Sequence, residues 1–247
     1  TSTYVFRPQP ALNSGTTYTV EIQPGLRSLL GGALDLSGLE PAAWTFTTSR
    51  PQVVKVEKGE APSLRLDQEI TITFNQPMQT EAAQENVRIL TAGQIPIPLE
   101  RKWDESGTIL KLLPQPLFER DTLYTLEIST GMTSLNGTAL AEPLRDSFRT
   151  LGVLRLDTSA EGFGSPFFAG DGFGSFSLKF TAPLDPDQPF EELIHLSPEL
   201  SSVSFNLYQQ DTIYVDGAFY PSRSYAVQID AALRDIWGGE MARTANL

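Results

Sequence analysis

The chain states one phrase three times: "YTVEIQPGLRSLLGG" from Tyr18, "YTLEISTGMTSLNG" from Tyr124 and "YAVQIDAALRDIWGG" from Tyr225. Tyr18 to Gly31, Tyr124 to Gly137 and Tyr225 to Gly238 are each 13 residues apart. The tyrosines themselves are spaced by 106 and 101 residues. That period is too long for the stacked units of a solenoid and suits whole β-sandwich domains of about 100 residues. Within each phrase, β-branched and aromatic residues alternate with polar ones, so Tyr18, Val20 and Ile22 share one face of a strand while Thr19 and Glu21 share the other. The glycines that follow (Gly31 and Gly32, Gly137, Gly238 and Gly239) supply the positive φ that a chain reversal requires. The phrase therefore reads as scaffold, a strand followed by a turn and a second strand.

The surroundings of the phrase repeat as well. "WTFTTS" from Trp44 and "SFRTLG" from Ser147 close copies one and two with a further strand. Upstream of each tyrosine lies an extended segment that ends in proline, "YVFRPQPAL", "LKLLPQPLF" and "YVDGAFYPS", where proline stops the ladder by removing a donor. Copies two and three share a front half: "ITITFNQPMQ" from Ile70 matches "FSLKFTAPLD" from Phe176, and Phe74 and Phe180 are again 106 apart. After these come "TEAAQENV" and "PDQPFEEL", each able to hold one helical turn, and then strands such as "VRIL" and "VSFNLY". Short strands at turn-punctuated spacing with no long helical period predict an all-β fold of tandem sandwich modules. The expected organisation is a partial module at 1–49, a complete one at 50–151 and a third at 152–247 that lacks its last strand. Copy one is expected to begin at Thr1 already in the strand before its tyrosine, so the numbered sequence reads as a piece of something longer. Short linkers at "SRPQ" and "TLGV" predict modules joined with limited bending.

These motifs resemble the bacterial Ig-like repeats of surface-layer and large envelope proteins. The likeness rests on "ITFNQPM", on "NSGTTYTV" from Asn13 and on the closing "WTFTT", with departures at "ERDTLYTL" and "PSRSYAV". The tyrosine is similar to the tyrosine corner of Ig-like sandwiches, whose hydroxyl ties down a nearby loop backbone. Tandem repeats of this kind also resemble the N-terminal modules of bacterial alpha-2-macroglobulins, envelope-anchored protease traps. That resemblance implies an extracellular or periplasmic, cell-envelope location, and a framework role in a protease inhibitor whose cysteine-containing thioester lies outside this cysteine-free chain.

Composition sets limits on partners. A net charge of -12 repels phosphate backbones and anionic lipid surfaces, which disfavours nucleic acid. No apolar run approaches the ~20 residues of a membrane helix, so no direct membrane insertion is expected. Expected partners are proteins or other domains of the same polypeptide. The incomplete end modules also predict self-association by strand exchange.

Little in the sequence carries chemistry. His195 is the only histidine and stands without a nucleophile motif, so it reads as a strand-end residue. Asp185, Asp187, Glu191 and Glu192 have carboxylates for calcium but lack a regular ligand loop, and they read as a solvated loop. Asp104 and Glu105 read as a hairpin tip, and Asn136 as a turn residue that also fits a glycosylation sequon. Glu57, Glu60 and Asp67 offer a glycosidase-like carboxylate pair that nothing singles out. The glycine- and phenylalanine-rich stretch from Glu161 to Phe176 has no counterpart in copy two. It reads as a self-packed insert or wedge; as an interaction loop it would present Phe163, Phe167 and Phe168 to a partner. The expected function is non-catalytic, with no cofactor and no metal: structural, spacer and interaction modules of a large envelope protein. The alternatives are an adhesion or ligand-binding module and an accessory region of a carbohydrate-active enzyme.

Overall fold

The structure, a computed structural model, describes residues 5–23, 25–35, 43–59, 63–160, 167–168, 174–220 and 223–247. Its contacts divide the chain into two compact units, Thr1–Gly59 with Glu69–Gln115 and Tyr124–Ser147, and Glu60–Gln68 with Pro116–Leu123 and Phe148–Leu247. In this division, residues 60–68 and 116–123 of the middle repeat group with the third repeat, and residues 69–115 and 124–147 with the first.

The first repeat is a two-stranded ladder of β1 (Thr17–Glu21) and β2 (Ala43–Thr47), paired antiparallel from Thr17 opposite Thr47 to Glu21 opposite Ala43. The register places Tyr18 across from Phe46, and their rings stack at 5.8 Å. Of the segment before Tyr18 expected to hold a strand, the described residues 5–16 carry none. In the second repeat the corresponding segment, Ile109–Pro114, pairs with Ile70–Phe74 and Leu99–Trp103.

The second repeat contains β3 (Val53–Glu57), β4 (Ile70–Phe74), α1 (Ala83–Asn86), β5 (Val87–Thr91), β6 (Leu99–Trp103), β7 (Ile109–Pro114), β8 (Leu123–Ile128) and β9 (Leu144–Arg149). They form a four-stranded sheet in the order β3-β4-β7-β6 and a three-stranded sheet in the order β5-β8-β9. Alternation decides which side chains turn inward. Ile70, Ile72 and Phe74 of β4, Leu110 and Leu112 of β7, Val87 and Ile89 of β5, and Tyr124, Leu126 and Ile128 of β8 are all buried. Each such aliphatic side chain contributes about 1.5–3 kcal/mol on removal from water.

The third repeat contains β10 (Phe167–Phe168), β11 (Gly174–Lys179), α2 (Phe190–Leu193), β12 (Ile194–Ser197), β13 (Val203–Tyr208), β14 (Thr212–Gly217), β15 (Ala226–Ile229) and β16 (Ala245–Asn246). Its sheets run β10-β11-β14-β13 and β12-β15-β16, the same orders as in repeat two. One core joins the two sheets, with Leu178, Ile213 and Val215 from one and Ile194, Leu196, Val227 and Ile229 from the other. The expectation that this repeat lacks its last strand is corrected by β16. Gln228 pairs with Asn246 and Ile229 with Ala245, and Val227 and Leu247 exchange backbone hydrogen bonds at 2.9 Å in both directions. The closing strand is short, and its polar "TAN" hides it from a search for apolar alternation. The single helical turns fall where "TEAAQENV" and "PDQPFEEL" indicate.

The glycine turn is the same object three times. Ser28 N–H donates to Gly32 O at 2.8 Å and Gly31 N–H to Ser28 O at 2.9 Å; the corresponding distances are 2.9 and 2.8 Å at Ser134 and Gly137, and 3.0 and 2.9 Å at Asp235 and Gly238. Gly31, Gly137 and Gly238 have φ of 81°, 80° and 75°, a region that L side chains rarely adopt. The tyrosine corner recurs as well. The Tyr18 hydroxyl accepts the Asn13 N–H at 2.8 Å, and the Tyr225 hydroxyl accepts the Tyr220 N–H at 3.0 Å.

Candidate functional site

The residues singled out for chemistry in the sequence do not assemble. Phe163 lies outside the described residues, as does Glu60. Phe167 and Phe168 form β10, whose backbone pairs antiparallel with Ser175 and Gly174 at the edge of a sheet. His195 is an exposed residue of β12 opposite Gln228. Asp185 uses a carboxylate oxygen to accept the Asp187 N–H at 3.0 Å, which makes it a turn residue. The nearby Gln188 is buried, donating to Asp185 O and Arg234 O and accepting from Arg234 N–H, all at 2.8 Å. Among the described residues no three His, Cys, Asp or Glu side chains converge as a metal would require. Glu57 is taken up by Lys55, and Asp67 by Arg65. Asp104 is the hairpin tip between β6 and β7: its carboxylate accepts the Ser106 hydroxyl and the N–H groups of Ile109, Thr108 and Ser106. These bonds, the one from the Ser106 side chain first, hold its carboxyl below the usual value.

What the structure does bring together, twice, is the tyrosine-corner loop of one repeat and the glycine turn of the next. The first joint lies within the first compact unit. Thr138 donates its hydroxyl to Ser14 O at 3.1 Å, Ser14 donates its own to the Gln76 side chain at 2.7 Å, and the Asn136 amide donates to Asn13 Oδ1 at 3.4 Å. Arg50, in the linker, donates to Ala139 O and Leu140 O at 3.3 and 3.4 Å. Its stem packs so closely on Gly15 that a Cβ there would lie 2.8 Å from Arg50 Cγ. Gly15 is thus required by close approach as well as by its φ of 58°.

The second joint lies within the second compact unit and is charged. Arg120 occupies the position of Ser14, four residues before the tyrosine, and Asp235 the position of Ser134, the first residue of the turn. Arg120 Nη2 donates to Asp235 Oδ1 at 2.8 Å and Nη1 lies 2.7 Å from Oδ2. The Asp235 side chain is fully buried, whereas that of Arg120 is 25% exposed. Asp235 Oδ1 also accepts the N–H groups of Trp237 and Gly239 at 3.0 and 2.9 Å, so the carboxylate closes its own turn while holding the arginine. Gly239 leaves room for the guanidinium: a Cβ there would sit 2.2 Å from Arg120 Nη2. Arg65 lies over the Trp237 ring, with Cζ 5.3 Å from the centroid, and makes a two-point pair with Asp67 at 3.0 and 3.1 Å. The hydrogen bond from Arg65 holds the Asp67 carboxyl below its usual value.

None of Arg50, Arg65, Arg120, Asp235 or Trp237 stands out in the sequence as a site. The available signal was positional. Superposing the three phrases places a lone Asp where the others carry Ser, and superposing the corner loops places a lone Arg where the first carries Ser.

Sheets, corners and turns together define tandem Ig-like β-sandwich modules. Residues 49–150 match the family of bacterial Ig-like domains. Among curated proteins, the chain is 24% identical over 280 aligned residues to an alpha-2-macroglobulin homolog of a Nostoc species; the match takes in 98% of this chain and 14% of that protein. Solved structures that overlay on it include the N-terminal part of the bacterial S-layer protein SbsC, at TM-score 0.33 and 15% identity over 80% of this chain and 43% of that one. Another is the Escherichia coli alpha-2-macroglobulin fragment spanning domains MG0-NIE-MG1, at TM-score 0.36 and 8% identity over 80% of this chain and 71% of that one. Overlays this loose add nothing to the Ig-like assignment. No helix among the described residues is long and apolar enough to cross a membrane.

Proposed function

We propose that this chain is a non-catalytic framework segment of a large bacterial envelope protein, extracellular or periplasmic, and that the parent is a protease trap of the alpha-2-macroglobulin kind. The observation that carries the reading is the repeated joint. Arg120, Asp235, Arg65 and Trp237 all serve to hold one repeat to the next. Loops that hold each other in this way leave few groups free for turnover, and they set the distance between whatever the chain connects. The likeness to the Nostoc homolog supports the choice of parent.

Two measurements test this. A broad hydrolysis screen over glycan, peptide and ester substrates is expected to show no turnover above buffer, and turnover that a single substitution abolishes would overturn the non-catalytic reading. The coding sequence on either side of the chain is expected to encode a thioester motif with cysteine and glutamine, and a parent without one would remove the trap.

A further inference from the structure

We propose that the outer face of the sheet β10-β11-β14-β13 binds a neutral polysaccharide, with Tyr208 and Tyr214 stacking on its sugar rings and Asn206 and Asp216 bonding its hydroxyls. This function goes beyond the framework reading and does not depend on it. Strand alternation sets the face. Leu178, Ile213 and Val215 turn into the core of the third repeat, with Phe205 and Leu207 packed against it. The residues between them face the other way. In the register Tyr214 lies between Asn206 and Ser177, and Asp216 between Ser204 and Ser175. Tyr208 is 55% exposed and Tyr214 41%. Their rings meet edge to face at 5.9 Å, and Asn206 Nδ2 donates to Asp216 Oδ2 at 3.1 Å. Groups fixed in this way lose little freedom on taking a ligand.

The same positions of repeat two are filled differently. Glu100, Lys102, Lys111 and Glu69 stand where Ser204, Asn206, Tyr214 and Ser175 stand. They join in two ion pairs, Lys102 to Glu100 at 3.0 Å and Lys111 to Glu69 at 2.9 Å. Charges of this kind keep an open sheet edge solvated and unpaired. Repeat three replaces all four with neutral groups on the same frame. Its strands β11, β13 and β14 retain one charge of each sign, Lys179 and Asp216, within a chain of net charge -12. A neutral ligand meets no repulsion there. Sugars fit what remains. The C–H groups of a pyranose lie against an aromatic face as weak donors to its π electrons, and its hydroxyls both donate and accept, matching the Asn206 amide, the Asp216 carboxylate and the serines. A protein partner is disfavoured by area: three rows on three strands, at spacings of about 6.8 and 4.8 Å, cover on the order of 150 Å², whereas a stable protein interface takes about 800 Å² from each side.

Affinity electrophoresis of the full chain reads the binding, in gels containing xyloglucan, galactomannan, laminarin or glycogen, with polygalacturonate as the anionic control. At least one neutral polymer is expected to retard the wild-type chain, and polygalacturonate is expected not to. Tyr214→Lys installs the side chain that repeat two carries at this position, so the fold is expected to survive, as circular dichroism checks, while binding falls about tenfold or more. Tyr208→Ala is expected to weaken it similarly. Lys111→Ala, on the corresponding face of repeat two, is expected to leave retardation unchanged. A wild-type chain that no neutral polymer retards overturns the proposal, and so does retardation that both tyrosine variants keep in full or that polygalacturonate alone produces. Self-association in sedimentation velocity that Tyr214→Lys abolishes, with no retardation in any gel, would assign the face to a protein partner and overturn it equally.

Discussion

The carboxylate of Asp235 shows how one residue serves two levels of structure. It closes its own turn by accepting from Trp237 and Gly239, and it holds Arg120 from 115 residues away. Serine at the same position meets only the first demand: the Ser28 hydroxyl accepts the Gly32 N–H at 3.2 Å, and Ser134 donates to Asn136. Removing one member of a buried pair leaves the other uncompensated, which costs far more than an exposed pair contributes. Asp235→Ala is expected to lower the unfolding free energy by about 3 kcal/mol or more, read from urea denaturation followed by tryptophan fluorescence. Asp235→Ser is expected to recover part of that loss, because it keeps a side-chain oxygen for the turn. An Ala variant as stable as wild type would show that the joint carries no load.

At the level of elements, the turns were legible because their requirement is local. A reversal within a few residues needs positive φ, and glycine meets it wherever the flanking strands pair. Gly137 and Gly238 have no heavy atom within 4 Å of an added Cβ, so substitution there tests backbone strain without steric clash. Gly137→Ala and Gly238→Ala are each expected to cost about 1 kcal/mol in thermal or chemical unfolding, and an unchanged midpoint would contradict the assigned conformation. The closing strands were less legible. The second begins at Leu144 rather than Ser147, with Asp146 turned toward Lys58, and the third is the short β16. Both lie at the edge of a three-stranded sheet, where one ladder and a polar sequence suffice. The Phe-rich stretch was unreadable for a related reason: its glycines and phenylalanines follow no alternation that would fix a register, and the pairing of β10 with the start of β11 identifies the described parts of it as strand.

For the whole molecule, acid is the informative perturbation. Asp67, Asp104 and Asp157 all sit below their ordinary value of 3.8, through Arg65, through Ser106 and through Ser159 respectively, each the largest cause at its site. A carboxyl lowered by folding stabilises the folded chain fully above its unfolded pKa and ceases to do so as pH falls through the folded one. Stability is therefore expected to hold through neutral pH and to decline below about pH 4, followed as melting temperature against pH. Asp104→Asn is expected to flatten the acid limb while leaving the neutral plateau lower, and an unaltered acid limb would remove Asp104 from the account. What the sequence alone determined was everything that depends on near neighbours: the alternation that turns one face inward, the glycine at each reversal, the helical turn after each front strand, and hence the repetition of one sandwich. Only the tertiary structure decided which corner meets which turn and with what chemistry. Arg120 and Asp235 acquire their meaning when two loops far apart in sequence are brought within 3 Å, and a composition or a period carries no record of that distance.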